Sequence, residues 1–171
     1  MNSSMFKSWD SELAQLAALN VRQCKMHHDK CRATQNFNYP GQNLGYKANS
    51  GNFESTRSLI THVIKDLWYN EEVVNAFRSD IEKCCNSAAG KVIGHFTQIV
   101  TDRAFKVGCA ISQYTESKWK TSLIACNYAF TNFQGAKVYA SGKSASECSS
   151  GFNPRFPALC SESEKIKIKL N

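Results

Sequence analysis

No run of apolar residues in this 171-residue chain approaches the roughly 18 that a membrane-spanning helix needs, so no such helix is expected. Met1 to Asp10 lacks the apolar segment of a secretory leader. There is no internal repeat, no H-E-x-x-H metal motif, no serine or cysteine in a nucleophile elbow and no Arg-Gly-Asp adhesion motif. Aromatic and basic residues do not interleave as they do on an RNA-binding sheet, so nucleic acid is not expected as a partner. No residue is therefore assigned as catalytic.

What is present bounds the answer further. The length suits one compact core. Eight cysteines would be a liability in a reducing cytosol, and an even count fits disulfides in an oxidising compartment, so the protein is expected to be secreted and extracellular. On that reading the missing leader marks a mature, truncated or alternatively started chain. Asn2-Ser3-Ser4 is a glycosylation sequon consistent with the same route. The net charge of +7 is spread over solvated faces, with Lys165, Lys167 and Lys169 as its one cluster.

Taken in order, Ser8 to Val21 reads as a helix that Asp10 or Ser11 can cap, with Leu13, Leu16 and Ala17 on its apolar face. Cys24 to Cys31 is a loop. Tyr39-Pro40-Gly41 is a turn, Gln42-Asn43-Leu44 enters a strand, and Lys47 to Glu54 is a loop again. Ser55 to Phe77 is the longest predicted helix. Ile60, Ile64, Leu67 and Trp68 make a stripe at 3.6-residue spacing, and Glu71 falls on it. A carboxylate on an apolar stripe must be paired, hydrogen-bonded or facing a wet cavity, because burying it alone costs several kcal/mol. A short helix follows within Gly90 to Val100, with Val92, Phe96, Ile99 and Val100 on one face and His95 at its edge. Lys106 to Tyr114 and Trp119 to Phe130 read as an antiparallel hairpin. Beyond Asn132 the chain is loop-like, and a bond from Cys148 to Cys160 closes it. Phe130, Phe133, Phe152 and Phe156 could line a groove there or pin the tail to the body.

The stretch G-H-F-T-Q-I-V at Gly94 to Val100 resembles the G-H-Y/F-T-Q-x-V-W signature of the CAP superfamily. Further pieces follow the same pattern in order: C-x-x-x-H-D-x-C at Cys24 to Cys31, G-Q-N-L at Gly41 to Leu44, W-Y-x-E at Trp68 to Glu71, V-G-C-A at Val107 to Ala110 and A-C-N-Y at Ala125 to Tyr128. Asp29, Gln42 and N-P-R-F-P-A-L-C at Asn153 to Cys160 are most similar to the antigen 5 branch of flies.

The resemblance implies an α/β fold, a three-layer α/β/α sandwich with an antiparallel central sheet and disulfide-stapled loops. Residues 1–135 would form the CAP domain and 136–171 a disulfide-pinned extension, with one family helix missing ahead of the first. It implies a bond between Cys109 and Cys126. In antigen 5 relatives the cysteines matching Cys24 and Cys31 bond an N-terminal segment that is not present here. Those two are therefore left to pair with each other, with Cys84 and Cys85, or with nothing.

The resemblance also implies a cleft of His28, Glu71 and His95 with Gln42 as neighbour, a donor set that suits Zn²⁺ or Cu²⁺. Gln42 stands where relatives carry an acid, and an amide transfers no proton, which weakens a two-carboxylate mechanism. The function implied is a non-enzymatic antigen 5-like binder of insect saliva, venom or body fluid. It would take small amphipathic lipids or a host protein and require no cofactor. The alternative is a metal-dependent (Zn or Cu) hydrolase or redox enzyme.

Overall fold

The computed structural model describes residues 7–85 and 90–164; the sequon at Asn2 and the lysine cluster at the end lie outside them. Strand β1 (Ser8–Trp9) leads into helix α1 (Ser11–Val21), and β2 (Gly41–Asn49) into a continuous helix over 56–73. That helix begins as α2 (Thr56–Ile60), is π-wound over Thr61–Asn70 and closes as α3 (Glu71–Val73). Helices α4 (Arg78–Glu82) and α5 (Gly94–Val100) follow, then β3 (Lys106–Glu116) and β4 (Trp119–Tyr128). The sheet order is β1-β3-β4-β2, antiparallel except for the two residues of β1. With α1 on one face and the 56–73 helix and α5 on the other, this is the expected three-layer sandwich.

The first helix starts three residues later than its periodicity suggests, because Ser8 and Trp9 pair in parallel with Lys106 and Val107. Asp10 then caps it as expected, its side chain accepting from the Glu12 and Leu13 amides. The other oxygen of Asp10 takes Lys106 Nζ at 2.9 Å, tying the cap to β3. At Gly108 of β3 a Cβ would run into the α1 backbone at Leu13 and Ala14, so only glycine lets the helix lie directly on the strand. Leu44, Leu123 and Ala125 pack here under Ala17 and Val21.

The opposite face carries Ile124, Cys126 and Tyr128 against Leu59, Val63 and Trp68. Strand β2 runs on to Asn49, three residues into the predicted loop, by pairing with β4 as far as Lys120. Cys109 and Cys126 are cross-strand partners and are bonded, and Cys148 to Cys160 closes the tail. Cys84 is bonded to Cys85, which leaves Cys24 and Cys31 free and exposed. Of the four aromatics weighed for a tail groove, Phe130 is core, edge-on to Tyr39 and Phe133, while Phe152 and Phe156 are exposed.

Candidate functional site

The π winding decides which carboxylate reaches the interior. Hydrogen bonds from i to i+5 put more than four residues in a turn, and the residues that face the sheet are Leu59, Val63, Trp68 and Glu72, at spacings of four, five and four. A 3.6-residue reading instead selects Ile60 and Glu71, and both are exposed. Glu72 is therefore the acid on the apolar stripe, 6% exposed, and Glu71 lies at the rim.

The carboxylate of Glu72 has two partners on α5. Oε1 accepts from His95 Nδ1 at 2.5 Å, and Oε2 accepts from the Phe96 amide at 2.9 Å. Because a carboxylate only accepts, Nδ1 carries the proton of this contact, and Nε2 is the ring nitrogen turned away from Glu72. The His95 ring stacks on Trp68 with centroids 5.7 Å apart and planes 10° from parallel. Trp68 is held in turn by its indole N–H donating to Leu44 O at 3.2 Å. Asn43, buried and absent from the predicted site, donates to the His95 carbonyl at 3.1 Å. The helix starts only at Gly94, so Val92 lies outside it and is 68% exposed instead of on the helix's apolar face.

Trp68, Glu72, Val92 and His95 line a cleft of about 360 Å³ at the edge of β2. Leu67, Trp68 and Val92 give it apolar walls, Glu72 and His95 a polar end, and Lys91 a cation at the mouth.

His28 and Gln42 lie elsewhere. Successive strand residues face opposite sides of a sheet, so Gln42 looks toward α1 while Asn43 looks toward His95. On that side Gln42 Oε1 accepts from His28 Nδ1 at 2.9 Å, and its amide nitrogen donates to Asp29 Oδ2 at 2.7 Å and Asn127 Oδ1 at 2.9 Å. Asp29 is held also by the fully buried Asn20, at 2.8 Å. The four predicted residues thus divide into a structural network around Gln42, with His28 exposed at its edge, and a cleft around His95. Among the described residues no three His, Cys, Asp or Glu side chains gather as a metal would need. The donors on the cleft face do not make the set expected for Zn²⁺ or Cu²⁺.

A three-layer sandwich with a histidine–carboxylate pair at the sheet edge, on a G-H-F-T-Q helix, defines a class of domain. The model of the cysteine-rich secretory protein family, CAP, matches residues 7–128, and the chain belongs to that family. "Venom allergen-1" of Aedes albopictus is 40% identical over 161 residues, and "Antigen 5 like allergen Cul n 1" of Culicoides nubeculosus 46% over 111. These matches take in 93% and 65% of this chain but 62% and 49% of those proteins, so the chain spans under two thirds of either relative. The solved "NaASP2 with Zn2+" shares the fold, with a TM-score of 0.73 at 20% identity over 94% of this chain and 78% of that one.

Proposed function

We propose that this CAP domain acts outside the cell, in an insect fluid, as a non-enzymatic carrier of small amphipathic molecules bound in the cleft at His95. The observation that carries this reading is the lining: apolar walls at Leu67, Trp68 and Val92 meet the polar end at Glu72 and His95, with Lys91 at the mouth. Such a cavity, apolar with a few placed polar groups and within the roughly 300–1,000 Å³ of small-molecule sites, suits a fatty acid or a related amphiphile. Six bonded cysteines agree with an oxidising compartment.

Titration with palmitate and with a neutral sterol tests it. Saturable one-to-one binding is expected, lost in Val92→Asp and, for palmitate alone, weakened about tenfold in Lys91→Glu. Absence of saturable binding to either probe overturns the reading.

A further inference from the structure

Helix α1 ends at Val21, but the strands beneath it run on. By register, one face of the sheet beyond that end presents Tyr46 opposite Leu123, Thr121 opposite Tyr114, and Trp119 opposite Glu116. The chain leaving α1 turns at Cys24, whose carbonyl accepts from the Tyr114 hydroxyl at 3.1 Å, and closes one side. The result is a groove of about 700 Å³, separate from the His95 cleft and meeting it over the β2 edge at Met26 and Tyr46.

Its chemistry differs from that of the first cleft. Trp119 and Tyr46 are 44% and 54% exposed, so two large aromatic faces stand open with the half-buried Tyr114 between them. Glu116 is the one formal charge that the register turns into the groove. Lys47 also borders the groove, but alternation turns its side chain to the other face, where its ammonium is neutralised by Glu54 at 3.0 Å. The Trp119 ring already attracts a cation, since Lys118 Nζ lies 5.5 Å from its centroid. The overall charge of +7 opposes a cation at long range but is screened over about 8 Å at physiological salt.

We propose that this groove is a second binding site, for an organic ammonium group held against the faces of Trp119, Tyr46 and Tyr114 and neutralised by Glu116. A free amine and a choline headgroup both present this ammonium, and the test separates the two.

Calorimetric titration with phenethylamine, choline and 3,3-dimethylbutanol, the neutral isostere of choline, provides the test. Saturable binding of the two cations is expected, at least tenfold tighter than the isostere. Glu116→Gln should remove that preference and Trp119→Ala should abolish binding; both positions are exposed, and an unchanged melting temperature confirms that the variants fold. Choline should slow alkylation of Cys24, on the groove wall, by N-ethylmaleimide without slowing that of Cys31. Val92→Asp should leave choline binding intact, which keeps this site distinct from the first. Lysophosphatidylcholine binding tenfold tighter than choline, with the same dependence on Glu116, assigns a lipid headgroup, and equal binding assigns a free ammonium. Equal affinity for choline and its isostere, no saturable binding of either cation, or binding that leaves Cys24 unprotected overturns the proposal.

Discussion

Glu72 Oε1 and His95 Nδ1 lie 2.5 Å apart across the junction of the long helix and α5, and the second oxygen of the same carboxylate takes the Phe96 amide. One acid thus sets the orientation of the imidazole and satisfies a buried backbone donor at the start of a helix. Removing it leaves that N–H buried without a partner, at a cost of about 1–3 kcal/mol. Glu72→Ala should lower stability by that amount in urea denaturation, Glu72→Gln by less because an amide oxygen still accepts, and Glu71→Ala by under about 0.5 kcal/mol, as for an exposed position. Equal losses at Glu71 and Glu72 would contradict the assignment.

The contact between α1 and the sheet depends on Gly108. A methyl group there meets helix backbone rather than a movable side chain, so the helix must shift away from β3. Gly108→Ala should cost about 1–3 kcal/mol, read as a lower urea midpoint with an unchanged slope. A neutral substitution would show that the helix is not seated on the strand.

Thiol reactivity reports the disulfide pattern. Native protein should react with Ellman's reagent at two sites, mapped to Cys24 and Cys31, and the other six cysteines should react only after reduction. The Cys109–Cys126 bond closes a loop of sequence separation 17, for which chain entropy predicts about 3 kcal/mol of stabilisation. The double serine variant should lose that amount.

Lys7 provides a pH signature. Its ammonium donates to the carbonyls of Thr101 and Ala104 beyond the end of α5. Burial lowers its pKa from the ordinary 10.5 to about 8, against the opposing pull of Asp102. Between those two values the unfolded chain binds more protons than the folded one, so this group makes stability rise with pH over that window. The stability difference between wild type and Lys7→Met should therefore shift in favour of wild type from pH 8 to 10.5. A difference that stays flat over this range would place the amine in water.

The hairpin, the Asp10 cap and the Cys148–Cys160 closure are legible from periodicity, spacing and turn residues, and the three-layer sandwich and the Cys109–Cys126 pair from the family resemblance. A 3.6-residue period selects Glu71 where the structure buries Glu72, because a π-wound helix shows no sign of itself in composition and the two residues are chemically alike. The spacing of Leu59, Val63, Trp68 and Glu72 is the trace that could have revealed it. The separation of His28 from His95 was available in principle. Gln42 and Asn43 are neighbours on a strand and must face opposite ways, so partners of one cannot share a cleft face with partners of the other. The aromatic groove was not legible at all, since it exists only because α1 stops short of the strand ends.

A native mass spectrum of the protein purified from insect-cell medium, before and after addition of palmitate, tests directly whether the His95 cleft carries an amphiphile. Three disulfides, two free thiols and a single amphiphile adduct that saturates at one per chain and is absent in Val92→Asp are expected. A spectrum that keeps the bare protein mass at saturating palmitate, or an adduct unchanged by Val92→Asp, would contradict that reading.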